Sequence, residues 1–251
     1  MPENRPFAIT IAGLDPSAGA GVLADIKTFE QHNVYGFAVN TGNTIQTEKE
    51  FFEIQWTDLD FVLKSLEKLF KNHTIKAVKI GIVPSLDYLK EIVFVIKKLS
   101  TKTKIVWDTV LKSTTEFRFI TIDNQDVLIE LLKKIDLITP NYNEILQLSV
   151  VEKNPELIAH DVSKHCAVLL KGGHNPRAIG VDCLYTGKET FMLTPNNTSV
   201  FEKHGSGCVL SSAITANLAL GQDLKAACIN AKIYIETYLK SNKTKLGYHH
   251  V

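Results

Sequence analysis

Residues 203–214 read KHGSGCVLSSAI. Two glycines bracket Ser206, Cys208 follows, and an apolar run with helical spacing comes after it. Gly205, Ser206, Gly207 and Cys208 therefore stand where a loop turns into a helix. Glycine leaves φ unrestricted, so successive backbone N–H groups can point the same way. A helix start adds its own free N–H groups and the positive end of its dipole. Together they make an anion socket without any lysine. Such a socket suits the charge that develops on a transferring phosphoryl group. Cys208, at the helix start, is expected to have a depressed thiol pKa; as a thiolate it could orient or deprotonate a nearby hydroxyl. The plainer reading of the same residues is an ordinary loop-to-helix junction with a buried thiol.

The other cysteines, Cys166, Cys183 and Cys228, sit in apolar runs and read as small core residues. No CxxC or CxxH spacing supports zinc, and a reducing compartment argues against disulfides.

A second glycine-rich loop, AGLDPSAGAGVLAD, spans residues 12–25. Its string from Gly19 to Ala24 matches GxGxxA, but a dinucleotide fingerprint is rejected. Gly19 lies well beyond the end of the preceding strand, and Asn40 stands where the second strand should end in an acid. No GxxxxGK[ST] string occurs, which excludes a P-loop. Asp25 falls inside the helix that follows. It is either a surface carboxylate or one aimed into the mouth of a sheet, accepting hydrogen bonds from a substrate's hydroxyl or amino group.

Strand-like and helix-like segments alternate along the whole chain. FAITIAG, YGFAVN, IKAVKIGIV, KIVWD, DLITPN, AVLLKGG and GVDCLYTG read as strands, the last ending in a Thr-Gly turn before ETFMLT, and FFEIQW as a further one at an edge. AGVLADIKTFEQH, DLDFVLKSLEKLFKN, SLDYLKEIVFVIKKLS, DVLIELLKKI, the run from Gly207, and DLKAACINAKIYIETYLKS read as helices, with Ser85 a candidate N-cap. This order implies a mostly parallel sheet covered by helices on both faces. With 251 residues, no linker and no repeat, one domain over residues 1–251 is expected. In such sheets ligands bind at the carboxyl ends of the strands, so the residues following each strand carry the chemistry.

A composition of 45% hydrophobic and 22% charged residues is ordinary, and a net charge of +1 gives no electrostatic case for nucleic acid or an anionic membrane. No secretory signal and no apolar span of about 18 residues is visible, so the cytoplasm is the expected compartment.

The stretches AITIAGLDPSAGAGVLADIKTF, VKIGIV, ITPNYNEI, VLLKGGH and HGSGCVLSSAI have the order and spacing of the hydroxymethylpyrimidine/phosphomethylpyrimidine kinases of thiamin biosynthesis. The chain resembles that family from about Phe7 to the last helix. The resemblance implies a ribokinase-like three-layer α/β/α sandwich and transfer of the γ-phosphate of ATP, with Mg2+, to the hydroxymethyl group of 4-amino-5-hydroxymethyl-2-methylpyrimidine, then to the monophosphate. It implies that Gly13, Asp25 and Gln46 hold the pyrimidine, with an apolar wall at Ile82 and Val110. It makes residues 205–208 the anion hole, with Cys208 where many ribokinase-like enzymes carry a catalytic aspartate. It places Asn141, Glu144 and Asp108 at the magnesium and phosphate end, and Lys171 on a phosphate. It also suggests a homodimer. Three features depart from the pattern. Ala18 stands where a second glycine is usual, which is harmless if its φ is negative. Lys112 and Ser113 are not followed by the usual glycine. The stretch around Gln46 is also unusual. A pyridoxal kinase of the same fold and a catalytically silent binding protein are the alternative readings.

Overall fold

In a computed structural model, residues 4–112, 119–122, 124–175, 177–196 and 200–249 are described. Ser113, one of the departures noted above, lies outside them. Nine strands among the described residues form one sheet. They are β1 (Phe7–Leu14), β2 (Tyr35–Gln46), β3 (Phe51–Trp56), β4 (Ile75–Ile80), β5 (Lys104–Trp107), β6 (Leu137–Ile138), β7 (Ala167–Leu170), β8 (Asp182–Tyr185) and β9 (Thr190–Leu193). Their order across the sheet is β3-β2-β1-β4-β5-β6-β7-β8-β9. From β2 to β7 all pairings are parallel, whereas β3, β8 and β9 join antiparallel at the two edges.

The helices are α1 (Gly21–Gln31), α2 (Leu59–Asn72), α3 (Leu86–Leu99), α4 (Gln125–Leu132), α5 (Tyr142–Ile145), α6 (Pro155–Val162), α7 (Ser206–Ala219) and α8 (Leu224–Lys240). Local chemistry sets their starts. The Asp58 side chain accepts from the Phe61 N–H at the head of α2, and Ser85 accepts from the Tyr88 N–H at the head of α3. Sequence patterning missed α5 and α6. Yet α6 carries an Asn154 cap and Pro155 in its first turn, the expected opening for a helix.

Side-chain alternation splits the sheet's two faces. Ile9, Ile11, Val78, Ile80, Ile105 and Trp107 pack into one core with Val62, Leu66, Leu89, Ile92 and Leu128 of α2, α3 and α4. Ala8, Ala77, Val106, Leu137 and Leu169 pack into a second core with α1, α7 and α8. The result is the expected three-layer sandwich. The small residues Ala8 and Ala77 let α7 lie close to the centre of the sheet, where it is buried on every side from Val209 to Ala219.

Two further features frame the strand ends. β2 is longer than expected: its last three residues run past the end of β1, paired with β3 in a projecting ribbon. At the other side, residues 242–249 fold back on the segment before α7. Lys203 Nζ donates to the carbonyls of Asn242 and Thr244, at 2.5 and 2.8 Å, and the His204 N–H donates to the Lys245 carbonyl.

Candidate active site

On the face of the sheet covered by α7, the residue type changes at the carboxyl ends of the central strands. Below, that face presents Ala8, Ala77 and Val106; one alternation further it presents Thr10, Lys79 and Asp108. All three are fully buried, so each must find a partner. Lys79 Nζ reaches both oxygens of Asp25 at 2.8 Å, while Thr10 Oγ1 and Ser212 Oγ donate to the same carboxylate at 2.5 and 2.6 Å. Asp108 accepts from Thr139 Oγ1 and Lys171 Nζ on one oxygen, at 3.0 and 3.1 Å, and from Ser211 Oγ on the other at 3.0 Å. Lys171 Nζ also lies 3.6 Å from Glu144 Oε2.

Burial opposes charge on these groups, and their partners decide the outcome. Burial pushes the Asp108 carboxyl up, but Lys171 and Lys79 outweigh it and hold it below the usual carboxylate range. Burial disfavours the Lys79 and Lys171 ammoniums, but Asp25 in the first case and Asp108 with Glu144 in the second raise their pKa values. Glu144 moves the other way: burial dominates and raises its pKa.

Above this buried floor, the two glycine-rich loops meet. Gly205 caps α7 with φ +71°, in the left-handed region that favours glycine, and no side chain caps that helix. A Cβ on Gly205 would lie 2.0 Å from the Gly19 carbonyl oxygen. Gly19 is itself held by the turn built on Asp15. The Asp15 carboxylate accepts from the Ser17 N–H and hydroxyl and the Ala20 N–H, and pairs with His204 Nε2 at 2.8 Å. Burial raises the Asp15 pKa, but His204 and Ser17 outweigh it and leave it below the usual value. Ala18 has φ +57°. The condition for a harmless alanine is therefore not met, and the loop carries a strained residue there.

Gly207 and Cys208 occupy the first turn of α7. A Cβ on Gly207 would sit 3.3 Å from Lys171 Nζ. The glycine leaves a cradle bounded by helix N–H groups and one ammonium, which fits an anionic phosphoryl group. Cys208 is half-buried, and its pKa is not depressed. Burial pushes the thiol up to about 11; Lys79 and the Gly21 N–H pull it down, and Asp108 and Asp25 push it further up. The expected thiolate is thus corrected to a neutral thiol, because burial and two carboxylates outweigh Lys79 and the Gly21 N–H. All four cysteines are free, and Cys166 and Cys228 are buried with their thiols pushed up to about 12 by burial.

Several expected site residues are brought together. Gly13 packs on Ile82, whose Cδ1 would lie 2.5 Å from a Cβ on Gly13. Asn141 bridges to Lys171. The NxxE motif proves to be a capping box on α5: Asn141 Oδ1 accepts from the N–H groups of Asn143 and Glu144, and Glu144 accepts from the Asn141 N–H. Val110 follows Asp108 at the same strand end, its N–H donating to the Asp108 carbonyl. Gln46 ends β2 on the projecting ribbon.

Two expectations are corrected. Asp25 does not present its carboxylate to a ligand: it is fully buried, and both oxygens are taken by Thr10, Lys79 and Ser212. Asp108 likewise is fully buried, with both oxygens engaged by Thr139, Lys171 and Ser211 and no face open to a ligand. Among the described residues no group of three or more His, Cys, Asp or Glu side chains could hold a metal ion. Sequence reasoning passed over Lys79, Ser211, Ser212 and His204. The available signal was a lysine inside an apolar strand and a serine pair inside an apolar helix, each requiring a buried partner.

A mostly parallel sheet between helical layers, with a glycine-capped anion cradle and a lysine at its strand ends, defines a ribokinase-like phosphotransferase. Residues 15–251 match the family model for phosphomethylpyrimidine kinase, and the chain belongs to that family. It is 35% identical to the hydroxymethylpyrimidine/phosphomethylpyrimidine kinase of Aquifex aeolicus, over 96% of each chain. Among solved structures, it superposes on a phosphomethylpyrimidine kinase from Clostridium difficile with TM-score 0.77 and 32% identity, covering 92% of this chain and 98% of that one. An ADP complex of Bacillus subtilis pyridoxal kinase superposes with TM-score 0.84 and 28% identity, covering 97% and 96%. Among the described residues no helix is long and apolar enough to cross a membrane.

Proposed function

We infer that the protein transfers the γ-phosphate of ATP to the hydroxymethyl group of 4-amino-5-hydroxymethyl-2-methylpyrimidine and then to the resulting monophosphate. The observation that carries this reading is the cradle: Gly205 in the left-handed region, an uncapped helix start, and Lys171 against Gly207. Phosphoryl transfer through a loose transition state asks for alignment and charge neutralisation more than for a strong base. The N–H groups of the first turn of α7 and the Lys171 ammonium supply the neutralisation. Asp108 holds Lys171 from behind. Cys208, neutral at physiological pH, orients the hydroxyl as a weak hydrogen-bond partner and does not serve as a resident base. The pyrimidine ring lies against Gly13, Ile82 and Val110, with Gln46 reaching it from the ribbon. Magnesium, when bound, would supply positive charge to the phosphates; Glu144 would hold it with water and phosphate oxygens, the usual environment for that ion, and Asn141, whose side chain caps α5, would keep Glu144 in place. The reading includes a homodimer, with exposed Ile45 and Phe52 on the β2–β3 ribbon as the apolar surface it would cover.

Pyridoxal kinase activity is a second reading, favoured by the superposition on the Bacillus subtilis enzyme. A coupled ATP-consumption assay with magnesium tests both, offering the hydroxymethylpyrimidine, its monophosphate and pyridoxal side by side. Turnover of the first two is expected. Turnover of pyridoxal alone would reassign the substrate, and no turnover with any would leave the silent binding protein.

A further inference from the structure

We propose that Lys79 is a positioning residue for phosphoryl transfer, fixing the first turns of α7 through Asp25 and Ser212 and placing a positive charge beneath the anion cradle. The inference rests on the kinase reading and deepens it.

Lys79 and Asp25 are both fully buried, 54 residues apart in sequence, and joined by two contacts of 2.8 Å. Burying an ion pair returns little net stability compared with apolar residues of similar volume. One layer below, the same face is built from Ala8 and Ala77 without difficulty. A charged pair at this level therefore does something an apolar pair would not. Its connections indicate what. Ser212, which donates to Asp25, stands four residues after Cys208, on the same side of α7. The carboxylate accepts four hydrogen bonds, from Lys79 twice, Thr10 and Ser212, so its orientation is fixed. The helix that carries the cradle is thereby pinned to β1 and β4 within about two turns of its start.

Charge gives the second part of the argument. The charged and titratable groups around the start of α7 include Asp25 on α1, Lys79 on β4, Asp108 after β5, Glu144 on α5 and Lys171 after β7, with the Asp15–His204 pair on the loop side. Lys79 and Lys171 together balance Asp25 and Asp108, with Glu144, whose pKa burial raises, beside Lys171. Without Lys79 the same carboxylates would face Lys171 alone, and the floor of a site for anions would be more negative by one charge. Lys79 acts on Cys208 and Asp108 through space as well as on Asp25.

The test uses Lys79→Met and the double variant Lys79→Met/Asp25→Asn, which leaves no unpaired buried charge. In the double variant we expect a folded protein whose kcat for the pyrimidine falls at least tenfold. Its KM for ATP should stay within about threefold. A second readout needs no substrate: alkylation of Cys208 by iodoacetamide at pH 9, followed by mass spectrometry of its peptide. The loss of a nearby positive charge raises a thiol pKa by about one unit, so alkylation should slow by up to about tenfold in Lys79→Met, and by less in the double variant. Wild-type kcat in the folded double variant together with wild-type alkylation in Lys79→Met would overturn the proposal and leave the pair a packing element. Should the wild-type protein fail to phosphorylate the pyrimidine, the alkylation comparison still decides whether Lys79 sets the field at the cradle.

Discussion

Replacing Gly205 with alanine tests the cradle directly, because the structure supplies a matched control. Two penalties apply at Gly205. An L-residue at φ +71° costs about 1–2 kcal/mol. The new Cβ would also stand 2.0 Å from the Gly19 oxygen, about 1.4 Å short of ordinary contact. Gly19 cannot simply retreat, since Asp15 holds its loop through Ser17, Ala20 and His204. The start of α7 must move instead, by about an ångström. A misplacement of that size costs about 100-fold in rate. Gly221, just beyond the other end of α7, has φ +86° but nothing within 4 Å of a Cβ. Gly221→Ala therefore carries only the backbone penalty. The expected outcome is a loss of about 3 kcal/mol for Gly205→Ala against about 1 kcal/mol for Gly221→Ala, read as shifts of roughly 6–12 and 2–4 °C in Tm. In the coupled kinase assay, kcat should fall about 100-fold in the first and stay within about twofold in the second. Equal activity in the two variants would refute the assignment of residues 205–208 as the phosphoryl site.

Ala18→Gly should stabilise the protein by about 0.5–1 kcal/mol in urea, the relief at φ +57° exceeding the added entropy of the unfolded chain; a destabilised variant would mean the loop does not hold that conformation. Asp15→Asn should cost about 2 kcal/mol at pH 7. The Asp15 pKa is below its ordinary 3.8 in the folded state, so its contribution is present above that value and is lost as pH falls through the folded pKa. The gap between wild type and variant should narrow below about pH 4, and a gap that widens there would contradict the pairing. Alkylation of Cys208 in the wild type should keep rising with pH towards a midpoint near 11; a plateau below pH 9 would restore the thiolate reading.

The sequence made the alternating elements legible because period-2 and period-3.6 patterns are local. FAITIAG, DLDFVLKSLEKLFKN and the long C-terminal helix needed nothing beyond their own residues. The uncapped, glycine-flanked start of α7 was legible for the same reason, since it is a local signal. Asp25 was misjudged because its partner, Lys79, is 54 residues away and only the strand order brings them together. Cys208 was misjudged because the helix start is visible in sequence while its burial, and the carboxylates of Asp25 and Asp108 below it, are not. The NxxE motif carried a local meaning, a capping box, alongside its expected place at the phosphate end. The α6 helix was overlooked although Asn154 and Pro155 announce it.

The central position of α7 has a consequence for exchange kinetics. Its middle turns, buried against β1, β4, β5, α1 and α8, open only when the whole domain opens, so their amides should be among the slowest to exchange with solvent. The amides of Gly207 and Cys208 belong to the same helix but have no acceptor from a preceding turn. One rigid element thus ends in a pair of fast-exchanging hydrogens, and an anion settling on them would slow that exchange without any change in the fold. Deuterium uptake at those two positions is a direct meter of occupancy in the cradle.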